Sequence, residues 1–178
     1  PLVTGSLTLY FHGEPLSHEN IRAKAHEYSA AKLGQIDLLF DFIEEIYDAE
    51  KGVLLKLKSS WMDDKVLDEN DFEEKELEEI REKFAKGELV GLYLPVSIKL
   101  KNGSRKESGF SAYIKQPEDL VKGMDLYVRG GLLLPGEAKF KDRRALGAMV
   151  ADDDAICEFL GDAENAAHTL WSGNAEKL

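Results

Sequence analysis

Cysteine is almost missing from this chain. Cys157, inside "DAICEFL", is the only one in 178 residues. A single thiol cannot build a disulfide framework or a Cys-x-x-Cys metal site. In its apolar setting it reads as a small core residue rather than a nucleophile. Histidine is sparse as well, at His12, His18, His26 and His168. None forms an H-x-x-x-H pair, and His18 and His26, eight apart, fall about 80° out of line on a helix. No zinc site built by this chain is expected. Basic residues are outnumbered, 23 Lys and Arg against 34 Asp and Glu, for a net charge of −11. That balance disfavours direct nucleic-acid binding, which draws on counterion release by a basic surface. It equally disfavours an anionic membrane surface. No apolar run approaches the roughly 20 residues that span a bilayer, and no leader pattern opens the chain. Few cysteines and no leader point to a reducing, cytoplasmic location. The first residue is Pro1 rather than Met, so the chain is expected to be a piece of a longer protein or a processed product.

What is present is a globular composition, 43% hydrophobic and 32% charged. At this length a chain buries roughly 70% of its unfolded surface and needs no cross-link to fold. "SLTLYF", residues 6–11, alternates with period two at Leu7, Leu9 and Phe11 and reads as a strand. Ser17 is placed to cap a helix through residues 18–33, Gly34 to interrupt it, and Gly52 to stop a second helix. That second helix carries Ile36, Leu39, Phe40, Ile43, Ile46 and Tyr47 as one apolar stripe. "VLLKLK", residues 53–58, reads as a short strand. Asp71 and Glu74 match a capping box before a helix with Phe72, Leu77, Ile80 and Phe84 on its apolar face. The acidic run Glu73–Glu79 is that helix's solvated side.

Beyond residue 88 the pattern turns to strands. Two alternating runs meet at Asn102-Gly103, a strong hairpin signal. "MDLYVRGGLLLPG" is extended, with Gly130-Gly131 suggesting a bulge or bend. "RALGAMVAD" is a buried strand. Asp152–Asp154 can cap the helix "DAICEFLG", and "DAENAAHTLW", residues 162–171, follows as a last helix. The order predicts an α/β fold: a mixed sheet with a β-hairpin packed against helices, and a helical N-terminal portion.

Three constellations could carry chemistry. Glu137-Ala-Lys139, with Asp125 twelve residues before Glu137, resembles the metal-binding core of restriction-type nucleases. In such a core, carboxylates hold a divalent ion and a lysine orients water. Pro135 and Gly136 fall where that core needs regular strand. Arg129-Gly-Gly could form a local backbone nest. No Walker-type or G-x-G-x-x-G phosphate loop occurs. Finally, Asn165, His168 and Trp171 recur at three-residue spacing and would share one broad helical face.

Residues 89–171 carry a resemblance. "DLYVRGGLLLPGEAKFKDRRALGAMVADDDAICEFLGDAENAAHTLW" resembles the second domain of ATPases of the gyrase, heat-shock chaperone, histidine kinase and MutL (GHKL) superfamily. It is most similar to a bacterial group of stand-alone ATP-binding proteins whose pattern ends in Asp-x-Glu-Asn-Pro-Ala-His-Thr-x-Trp. Ala166 stands here in place of that proline. "LYVRG" and "LGAMVAD" also resemble two strands of the chaperone's middle domain.

The resemblance implies a transducer domain with the fold of ribosomal protein S five, at residues 89–178. Residues 1–88 would be a helical connector or the tail of an upstream ATPase domain. In such proteins an upstream ATP-binding domain of the same chain holds ATP with Mg²⁺, so the full-length protein is an ATPase and this part alone is non-catalytic. The second domain supplies a γ-phosphate contact and relays the nucleotide state. By position His168 stands where the chaperone carries its phosphate-contacting arginine, and Asn165 where it carries asparagine. Lys139 and Arg129 are competing phosphate contacts. A homodimer of the full-length protein is a further expectation. The alternatives are a protein-interaction domain unrelated to ATP, the nuclease using Asp125, Glu137 and Lys139, and an enzyme of other chemistry.

Overall fold

The computed structural model describes residues 7–28, 33–61, 66–100, 102–135 and 139–171. In chain order the elements are β1 (Leu9–Phe11), β2 (Glu14–Leu16), α1 (Ile21–Tyr28), α2 (Leu33–Ala49), β3 (Leu55–Lys56), α3 (Glu74–Ala85), β4 (Val90–Lys99), β5 (Arg105–Lys115), β6 (Met124–Arg129), β7 (Leu132–Leu133), β8 (Leu146–Ala151) and α4 (Asp154–Ala163). β1 and β2 form a small hairpin of their own. The other strands form one mixed sheet in the order β3-β4-β5-β8-β6-β7. The fold is thus α/β, with a mixed six-stranded sheet.

The Asn102-Gly103 signal is realised as the β4–β5 hairpin, antiparallel from Val90↔Ile114 to Lys99↔Arg105. Asn102 Oδ1 accepts from the Ser104 backbone N–H at 2.9 Å and from its hydroxyl at 2.6 Å, which closes the turn. Gly130-Gly131 makes a sharper feature than the expected bulge. It is a two-residue hairpin turn between Arg129 and Leu132, with φ of +53° and +76°. Two successive left-handed residues match the right-handed twist of the flanking strands, and glycine enters that region without steric cost. β8 is the inner strand the sequence implied, antiparallel to β5 and parallel to β6.

Side chains alternate across the sheet, and each face has its own helix. On one face Phe42 and Ile46 of α2 pack on Tyr113, Leu120, Leu146 and Ala148. On the other, Ala155 and Ile156 of α4 pack on Ile98 and Ala151. The division drawn at 88/89 falls between α3 and β4. α2 nonetheless shares a core with β5 and β8, and β3 pairs in parallel with β4.

Several local expectations are corrected. Gly34, expected to interrupt the first helix, lies instead in the first turn of α2. α1 begins only at Ile21, and the turn before it is braced by Asn20 Oδ1, which accepts the Ser17 N–H at 2.9 Å. α3 is capped by Glu73 with Glu76, while Asp71 closes a box with Asp68 around a single 3-10 turn. The α4 cap falls within the expected acidic triplet: Asp153 accepts from the Ala155 N–H at 3.0 Å. The largest correction lies at 162–171: α4 ends at Ala163, and Glu164 adopts extended backbone. Asn165 takes the chain out of the helix. Its Oδ1 accepts from the Thr169 N–H at 3.0 Å and its Nδ2 donates to Thr169 Oγ1 at 3.0 Å. A short polar side chain that bonds nearby backbone competes with helix formation, and here it outweighs the alanines.

Candidate functional site

The end of β6 and the end of α4 meet at one ion-paired cluster. Arg129 is the last residue of β6, just before the Gly130-Gly131 turn. Glu164 is the first residue after α4 and forms an isolated bridge with Trp171. That bridge closes a tight loop over residues 164–171. Inside it the Asn165 N–H donates to the Leu170 carbonyl and the His168 N–H to the Asn165 carbonyl, each at 3.0 Å.

Glu164 is the hinge of the cluster. Its side chain is 1% exposed. Arg129 Nε donates to Glu164 Oε1, and Nη2 donates to Oε2 at 3.0 Å, a two-point fork. Oε2 also accepts from His168 Nδ1 at 2.8 Å. The Arg129 guanidinium, followed by the His168 contact, holds the Glu164 carboxyl below the usual carboxylate range against the opposing effect of burial. The Arg129 guanidinium is held above its ordinary value by the same bond.

An ionised carboxylate can only accept, so Nδ1 carries the proton. His168 is thereby fixed in tautomer and aim while its side chain remains 69% exposed. Its backbone sits in the left-handed region, φ +53°. Trp171 is half-buried, its ring edge-on to Tyr127 with centroids 5.7 Å apart. Asn165, His168 and Trp171 do not share the helical face expected of them; the loop places them instead.

Of the anticipated site residues, Arg129 and His168 are brought together, with Glu164 between them. Asn165 lies in the same loop, but its amide is engaged with Thr169. Lys139 sits in the segment between β7 and β8, where its N–H donates to Asp125 Oδ2 at 2.5 Å. That same oxygen accepts from the Phe140 N–H at 3.1 Å and the Tyr127 hydroxyl at 2.9 Å. Asp125 therefore serves as a loop anchor, and Glu137 lies outside the described residues. Among the described residues no group of three or more His, Cys, Asp or Glu is arranged to hold a metal ion. No described helix is long and apolar enough to cross a membrane. The Cys157 thiol donates to the Ala151 carbonyl at 3.0 Å, and burial pushes its pKa up, away from nucleophile chemistry.

Glu164 was not anticipated. Its signal in the sequence is Glu four residues before His, directly after an Asp-capped helix. Comparison of the chain with protein-family models, with curated proteins and with solved structures finds no match.

Proposed function

We propose that this chain is the transducer part of an ATP-dependent protein of the gyrase, chaperone, histidine kinase and MutL superfamily, with an S-five-like arrangement of its sheet. On this reading an upstream domain holds ATP with Mg²⁺, and His168 meets the γ-phosphate. The observation that carries it is the Arg129–Glu164–His168 relay: a buried carboxylate, neutralised by arginine, presents an imidazole to solvent by its far nitrogen. With Nδ1–H committed to Glu164, Nε2 donates to a phosphate oxygen only in the protonated ring, and that charged form is a strong donor. Arg129 is already committed to Glu164, which leaves His168 as the outward-facing member. The relay also links that contact to β6 and α4, so a phosphate gained or lost at His168 is felt in the sheet.

Two measurements test this. Calorimetry on residues 1–178 alone should show no micromolar ATP binding; finding it would remove the need for an upstream domain. In the full-length protein His168→Ala should lower ATP turnover while leaving ATP affinity unchanged. Unaltered turnover would make the relay structural.

A protein-interaction domain without ATP chemistry is favoured by one feature. Between β4–β5 and α4 lies an apolar groove of about 620 Å³, lined by Trp61, Leu94, Phe110, Ile156 and Leu160. Phe159 on its rim is 52% exposed.

A further inference from the structure

The helix α4 is too short to cover its face of the sheet. It has 10 residues, and beside it the apolar groove of about 620 Å³ stays open. The volume lies within the roughly 300–1,000 Å³ of sites that hold small ligands. The groove follows β4 from Leu94 to Lys99, about 17 Å of strand at ~3.4 Å per residue. That is the reach of an extended laurate chain. Phe110 of β5 and Met149 of β8 widen the floor, and Phe159 of α4 stands on the rim, 52% exposed. Trp61 lines the groove as well and is pinned by backbone bonds. Its N–H donates to the Pro95 carbonyl at 2.6 Å, and its carbonyl accepts from the Ser97 N–H at 2.9 Å. The apolar channel is thus held open by the sheet itself, and filling it would remove exposed apolar surface from water.

One end of the groove is basic. Lys and Arg are the minority in this chain, 23 against 34 acidic residues, yet three cations gather here. Lys99 lines the outer end. Cross-strand register sets Arg105 opposite Lys99 and Lys106 opposite Ile98, which lines the groove. Directly opposed residues of an antiparallel pair share a face, so Lys106 stands on the groove side of β5. Arg105 donates to the Ser97 carbonyl at 2.9 Å. Lys99 and Lys106 are exposed and make no ion pair among the described residues. The carboxylates nearby are engaged elsewhere. Glu107 accepts from the Ser60 hydroxyl at 2.7 Å, and Asp153 accepts from the Ala155 N–H at 3.0 Å and from the Ser108 hydroxyl. An apolar channel that ends at two unpaired ammonium groups is complementary to a molecule with an apolar body and one anionic end.

We propose that this groove binds a free fatty acid of medium chain length, with its chain along Leu94, Phe110 and Phe159 and its carboxylate at Lys99 and Lys106. A small ligand then takes the place that a protein would hold in the interaction reading. The phosphate reading of His168 is untouched by the outcome, because the test contains no nucleotide.

Calorimetry on residues 1–178 with laurate, kept below its micelle concentration, is the test. Dodecanol keeps the chain without the charge, and butyrate keeps the charge without most of the chain. Laurate should saturate one site, at least tenfold tighter than either. Phe159→Ser should weaken laurate and dodecanol alike, by several-fold. The double variant Lys99→Ala, Lys106→Ala should weaken laurate tenfold and leave dodecanol unchanged. It alters only exposed side chains, so it decides the matter if Phe159→Ser fails to fold. The proposal is overturned if laurate saturates no single site, if dodecanol binds as tightly, or if the lysine variant leaves the laurate affinity unchanged. Two other occupants would overturn it as well. A dimer in sedimentation that Phe159→Ser dissociates would give the groove to a second copy of this chain. Flotation with phosphatidylglycerol vesicles, lost in the same variant, would give it to a membrane.

Discussion

Glu164 Oε2 lies 2.8 Å from His168 Nδ1, and the carboxylate making that contact is almost wholly buried while the imidazole is mostly in solvent. The bond reaches from the end of α4 to a loop residue four positions on, and Arg129 supports it from β6. Glu164 therefore belongs to the fold and to the candidate site at once. Glu164→Gln should cost about 2–3 kcal/mol at neutral pH, because it leaves the half-buried Arg129 guanidinium facing a neutral amide. The sign with pH follows from the lowered Glu164 carboxyl. A carboxyl depressed by folding contributes stability above the unfolded carboxylate range, and that stability is lost as pH falls through its lowered folded value. Urea denaturation of both proteins between neutral and strongly acid pH should show the gap closing toward the acid end. A gap that stays constant would mean the carboxylate's charge is not what Arg129 holds.

Tyr113 gives the opposite dependence. Burial, more than any neighbour, pushes its phenol up to about 12. A group whose folded value is raised stabilises the fold below its unfolded value, near ~10, and that contribution disappears as pH climbs between the two. Ultraviolet titration should show one tyrosine ionising only at about pH 12, and that step should be missing in Tyr113→Phe. Among the described residues the hydroxyl makes no well-formed hydrogen bond, so Tyr113→Phe should also leave stability unchanged or raise it by up to about 1 kcal/mol. A loss above that would reveal a partner for the hydroxyl in solution.

The sheet was legible where the code is local. Alternation marked β4 and β5, Asn102-Gly103 marked the turn between them, an apolar run marked β8, and Asp153 lies within the acidic triplet expected to cap α4. The end of α4 was not legible, because helix propensity in "DAENAAHTLW" was outweighed by the Asn165 side chain reaching Thr169. The candidate site was half legible. His168 and Arg129 could be named, but the residue that joins them could not. Arg129 and Glu164 are 35 positions apart, and only the placement of α4 against β6 brings them together.

Asp125 separates the loop-anchor role from the nuclease alternative. One of its oxygens accepts from the Lys139 and Phe140 backbones and from Tyr127. Asp125→Ala should therefore cost about 1–3 kcal/mol by orphaning those donors. Hydrogen exchange should quicken at the amides of Lys139 and Phe140. The nuclease reading requires something else: DNA cleavage with Mg²⁺ or Mn²⁺ that vanishes in Glu137→Ala and Lys139→Ala. Observing that cleavage would replace the transducer reading outright.

His168 holds φ at +53°, a conformation that costs an ordinary L-residue about 1–2 kcal/mol. The loop enforces it, since the His168 N–H bonds the Asn165 carbonyl and Glu164 bridges to Trp171. Backbone strain of this kind persists where the surroundings over-determine it, and it gathers at functional positions. His168→Ala and His168→Gly both delete the imidazole and its bond to Glu164, so that loss cancels between them. What differs is the backbone. Glycine enters the left-handed region freely, and although it loses more entropy on folding than alanine, the relief should be larger. The glycine variant should be more stable than the alanine variant by about 1 kcal/mol in chemical denaturation. Equal stability would mean that the loop does not hold its left-handed residue in solution. In that case the imidazole is not presented in one fixed direction, and the geometric basis for a phosphate contact is lost.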